Sequence, residues 1–108
     1  MLKKEFKLPI QSFPKNSSKT IKGKFLLLKI IDNQKDYSRF NTIISSKYNK
    51  KATQRNILKR AIFNTLRLNW DLILFKKDVL IIINSQIAKE SNIEDITKEL
   101  LKLVFTIK

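Results

Sequence analysis

The sequence predicts a single α+β domain, a sheet of about four strands carrying a long basic helix and a closing C-terminal helix. Three observations predict it. Short apolar runs occur at 24–31, 39–45 and 78–84, the last rich in β-branched residues, with polar residues between them. A longer stretch at 51–67 repeats its apolar residues at helical spacing. A second helical pattern closes the chain through Ile93, Ile96, Leu100, Leu103 and Val104.

The first 23 positions support two readings. Residues 2–6 suit a short helix, which Pro9 and Pro14 would interrupt. Phe6, Leu8 and Ile10 alternate, which suits a strand. The polar stretch 15–22 reads as a loop. Residues 24–31 and 39–45 follow as strands, joined by a polar turn at 32–36. Their spacing suggests an antiparallel hairpin. A basic loop at 48–51 leads into the long helix, which runs to about Asn69. The apolar segment 70–75 either extends that helix or covers the core. Residues 78–84 read as a buried strand. Ser91 or Asn92 can cap the final helix, with Glu94 and Asp95 in its first turn. Neither a repeat nor a linker interrupts the pattern, so residues 1–108 read as one domain.

Composition narrows the function. Lys and Arg total 23 against 9 acids, a formal net charge of +14. With 43% hydrophobic residues the chain can bury a core, so it is not a disordered basic tail. An excess of this size repels itself unless a polyanion cancels it, and nucleic acid is the commonest such partner. Cysteine and histidine are both absent. That excludes disulfides, thiolate nucleophiles, imidazole bases and Cys/His zinc sites. No apolar run follows Lys3 and Lys4 as in a signal peptide, and the run 79–83 is far too short to span a bilayer. A cytoplasmic protein without a membrane role is the expectation.

A helical wheel divides the long helix in two. Advancing about 100° per residue places Arg55, Asn56, Lys59, Arg60, Phe63, Asn64 and Arg67 on one half. Ile57, Leu58, Ala61, Ile62, Thr65 and Leu66 fill the other. The first half holds four cations and no acid. Arg55 and Lys59 repel each other at i, i+4, at a cost of a few tenths of a kcal/mol that a bound anion would remove. Lys47, Lys50 and Lys51 add charge where backbone N–H groups already favour anions. Phe63, amid these cations, has two readings: a platform for an unpaired base, or a ring packed under the N-terminal segment or Phe75.

Two other classes fit less well. A nuclease acting alone needs convergent acids, yet the nine carboxylates are scattered and Glu94 with Asp95 suits a helix start. A membrane-surface helix opposes basic and apolar faces, but here the apolar face is needed to cover the strands.

The segment 39–67 resembles the bacterial ribonuclease P protein subunit. That family carries a strand ending near S-K-K, a short basic loop, then R-N-R-x-K-R and R-E-x-x-R on a helix. Here the strand reads Arg39-Phe40-Asn41-Thr42-Ile43-Ile44-Ser45-Ser46-Lys47. Lys50, Lys51 and Ala52 follow, then Arg55-Asn56, Lys59-Arg60 and Arg67. Asp78 opening an apolar strand and a closing amphipathic helix extend the likeness over 24–105. The chain departs from the pattern at Asn41, Ser46, Ile57, Phe63 and Asn64, where the family has Gly, Lys, Arg, Arg and Glu.

The resemblance implies an α–β sandwich similar to a domain of a small-subunit ribosomal protein. It implies a partnership with the catalytic RNA of ribonuclease P and with the 5′ leader of precursor tRNA, and no small-molecule substrate. The RNA and its bound magnesium ions would do the chemistry, with no cofactor and no catalytic residue in the protein. The leader would lie in a cleft between the sheet and the long helix. The residues expected to touch RNA are Arg39, Lys47, Lys50, Lys51, Arg55, Asn56, Lys59, Arg60, Phe63 and Arg67. A ribosome-associated or other RNA-binding module of similar fold is the alternative.

Overall fold

The structure, a computed structural model, describes residues 19–32, 35–73 and 75–107. The helix or strand considered for residues 2–10 therefore lies outside the described residues. Among the described residues four strands form one sheet: β1 (Lys19–Lys22), β2 (Leu26–Asp32), β3 (Arg39–Ile43) and β4 (Lys77–Ile83). The long helix is α1 (Ala52–Leu68), a single turn forms α2 (Ser85–Ala88), and the closing helix is α3 (Ile93–Val104). Asn92 is the N-cap of α3, and Glu94 and Asp95 occupy its first turn as expected. Among the described residues no helix is long and apolar enough to cross a membrane.

The strand order is β1-β2-β4-β3. This corrects the expected hairpin of the second and third strands. β4 lies between them, antiparallel to β2 and parallel to β3. Five consecutive apolar residues, Val79 to Ile83, make β4 the strand best suited to the centre, where both neighbours cover it. The parallel β3–β4 pair is possible because α1 supplies the crossover that parallel strands need. The polar stretch read as a loop holds β1. Only Ile21 of β1 turns toward the core, so backbone pairing with β2 holds this edge, and Lys19 and Lys22 guard it.

Alternation along the strands builds the core. Leu26, Leu28 and Ile30 stand opposite Ile83, Ile81 and Val79 on one face of the sheet. Burying each such side chain contributes roughly 1.5–3 kcal/mol. Phe40 of β3 joins this layer, and α1 and α3 lie side by side across it. Helix α1 contributes Leu58, Ile62, Phe63 and Leu66; α3 contributes Ile96, Leu100 and Val104. Beyond α1 the segment 70–75 does not extend the helix. Trp70 begins a short 3-10 turn, and Trp70 and Phe75 pack edge-on against Phe40.

Gly23, the chain's only glycine, ties the first hairpin to the last helix. Glu99 of α3 accepts hydrogen bonds from the backbone N–H of Phe25 at 2.9 Å and of Leu26 at 3.3 Å. A Cβ on residue 23 would overlap that carboxylate and stand 2.9 Å from Leu103 Cδ1. Moving the carboxylate aside breaks both hydrogen bonds. Gly23→Ala is therefore expected to lose about 1–3 kcal/mol in urea unfolding. Adding Glu99→Ala to it should cost little more, because the same two bonds are already gone. Fully additive losses would show that the two residues act independently.

Candidate nucleic-acid interface

The basic loop and α1 form one surface. After β3 the chain makes two tight turns. Tyr48 N–H donates to Ser45 O at 3.0 Å, and Lys51 N–H donates to Asn49 Oδ1 at 2.9 Å. Arg55 reaches back from α1, its Nη1 donating to Asn49 O at 2.7 Å and Lys50 O at 3.0 Å. The loop is thus fastened to the helix it precedes. Tyr48 turns inward, where burial pushes its phenol pKa up, while Lys47, Lys50 and Lys51 stay exposed. The first turn of α1 has no acidic residue, and its N-cap, Lys51, makes no side-chain cap. The partial positive charge of the helix start thus adds to the lysines.

Along α1, Asn56, Arg60, Asn64 and Arg67 line one exposed ridge. They span about 16 Å, at about 1.5 Å per residue. Arg67 Nη2 donates to Asn64 Oδ1 at 2.8 Å. Lys59 stands beside the ridge with Nζ 5.9 Å from the centre of the Phe63 ring, a cation–π contact. Among the described residues no acid forms an ion pair with Lys47, Lys50, Lys51, Lys59, Arg60 or Arg67. Seven of the expected residues therefore share one face: Lys47, Lys50, Lys51, Asn56, Lys59, Arg60 and Arg67. The face can bind several phosphates in a row.

Three expected residues have other settings. Phe63 is 1% exposed, so its ring belongs to the core and offers no face to a base. Arg39 faces Asp78 across the β3–β4 pair, donating from Nε at 2.9 Å and Nη2 at 2.6 Å. Hydrogen bonding to Asp78 raises the Arg39 pKa, burial opposing it. This bidentate pair pins the strand register. Arg55 positions the loop, as described above.

The wheel also misplaced Ile57, which is 47% exposed among the cations. The buried arc is rotated by about three-quarters of the ~100° residue step from the one drawn. The signal was present: Leu58, Ile62, Phe63 and Leu66 form a stripe at i, i+4, i+5 and i+8, which leaves Ile57 outside. A cleft between the sheet and α1 is not seen where those side chains meet the strands. Leu58, Ile62 and Leu66 are each 0% exposed there.

A family model described as Ribonuclease P matches residues 10–108. The Ribonuclease P protein component of Clostridioides difficile (strain 630) is 33% identical over 86 residues, covering 80% of this chain and 75% of that protein. The solved RNase P protein from Thermotoga maritima is similar at TM-score 0.74 and 26% identity, with 84% of each chain covered. The RNase P protein from Staphylococcus aureus has the same fold at TM-score 0.74 and 24% identity, over 84% of this chain and 82% of that one.

Proposed function

Because the chain belongs to the ribonuclease P protein family, we propose that it is the protein subunit of a ribonucleoprotein that removes the 5′ leader from precursor tRNA. The acid-free face of Lys47, Lys50, Lys51, Asn56, Lys59, Arg60 and Arg67 supports this reading most directly. It grips phosphates of the catalytic RNA, and the RNA carries out the cleavage. Among the described residues no three His, Cys, Asp or Glu side chains gather to hold a metal ion. In this reading the magnesium ions that serve the reaction sit on the partner RNA. The protein's cations take over part of the ions' work by neutralising phosphates that the folded RNA brings close.

The test is cleavage of precursor tRNA by the cognate catalytic RNA at low magnesium, with and without the purified protein. The protein is expected to raise the rate, and its advantage should shrink as magnesium rises. No stimulation at any magnesium concentration sinks the proposal. A protein that instead co-sediments with ribosomal particles is a ribosome-associated module.

A further inference from the structure

A second surface lies at the other end of α1 from the basic loop. The 17-residue helix separates the two by about 25 Å. A cavity of about 220 Å³ opens there between the β2–β3 link, the 3-10 turn and the start of β4. Tyr37, Trp70 and Phe75 line it, with Asp36 and Lys76. The three rings are half-buried. Buried Phe40 supports two of them from beneath, with centroids 5.6 Å from Trp70 and 6.0 Å from Phe75 at interplanar angles of 70° and 66°. Lys35 holds its ammonium 6.0 Å from the centre of the Tyr37 ring. The mechanism described for the α1 face uses none of these residues.

Aromatic rings held rigidly beside lysines, in a chain of net charge +14, match one ligand chemistry. A nucleobase has a flat apolar face to stack and an attached phosphate to pair. The cavity is smaller than the roughly 300–1,000 Å³ of drug-sized ligand sites, as suits one base. Asp36 is the lining acid, and its carboxylate can accept from the exocyclic amine of adenine, cytosine or guanine. We propose that this pocket takes one unpaired nucleobase of a single-stranded RNA among Tyr37, Trp70 and Phe75, with Lys35 and Lys76 on its phosphate. It is a stacking site separate from the phosphate-gripping face of α1. The inference rests on the reading of the chain as an RNA-binding protein.

Trp70 is the chain's only tryptophan and reports directly on the pocket. The full protein is titrated with a dye-labelled single-stranded RNA pentamer of mixed sequence, following dye anisotropy and Trp70 fluorescence together. Saturable quenching of Trp70 that tracks the anisotropy is expected. Lys76→Glu, a change at an exposed position, should weaken binding roughly tenfold and lower the log–log salt slope by about 0.7. Tyr37→Ala should lower the quenching amplitude. In Lys51→Ala/Arg60→Ala, quenching should persist at the weaker affinity. Binding without quenching, or quenching that Lys76→Glu and Tyr37→Ala leave unchanged, overturns the pocket and spares the α1 face. No binding by either signal overturns both.

Discussion

Phe63→Ala will lower the unfolding free energy by about 3–5 kcal/mol, the usual cost of emptying a phenylalanine site in a core. RNA affinity of the folded protein should stay within about twofold of the parent, since a buried ring takes no part in binding. The side chain is 1% exposed and packs in one cluster with Leu58, Ile62 and Leu66. A loss of this size is a large part of the 5–15 kcal/mol that holds a typical domain together. Urea unfolding measures the first quantity. Phe63→Leu keeps most of the packing and makes the second measurable if the alanine variant is partly unfolded. A stacking platform would behave in the opposite way. It would lose on the order of 5–150-fold in affinity with either substitution. That result would place Phe63 at the interface in the working protein.

The largest effect on binding is expected from removing the exposed cations together. Lys50→Ala, Lys51→Ala, Lys59→Ala and Arg60→Ala in one chain should lower affinity for the catalytic RNA by two to three orders of magnitude near ~0.1 M salt. The log–log dependence on salt should flatten by about 3, or roughly 0.7–0.9 per lost phosphate contact. Stability should hold or rise slightly, because the four side chains are exposed and repel one another. Arg55 is left in place on purpose. Its bonds to Asn49 O and Lys50 O shape the loop, so its removal would mix a folding defect with a binding one. An unchanged salt slope would move the interface to another surface.

Much of this protein was legible in its residues. The four cations and the lysine loop needed only spacing and sign, and the structure keeps most of them on one face. The three apolar strands were legible because each is a short apolar segment bounded by polar residues, unbroken in β4. What was hidden depends on contacts between distant residues. A wheel fixes which side chains share a face of α1, but not the direction from which the sheet approaches. An error of about three-quarters of a ~100° residue step exchanged Phe63 and Ile57. β1 is a backbone-held edge with one inward apolar residue, so its composition reads as loop. Arg39 looks like any exposed cation until Asp78 is brought opposite it from 39 residues away. The Gly23–Glu99 contact likewise joins positions that no local pattern relates.

The central place of β4 bears on how the chain is made. β2 and β3 are synthesised well before the strand that separates them. A nascent chain that has emerged only through β3 therefore presents β3 without its native partner and β2 with one edge open. The hairpin that local spacing favours is then a competing structure. It must open before β4 can enter between its strands. Vectorial synthesis thus sets an order of events that the finished sheet conceals. β1 and β2 can pair early, β3 must wait, and the last helix closes the first hairpin only when Glu99 has left the ribosome.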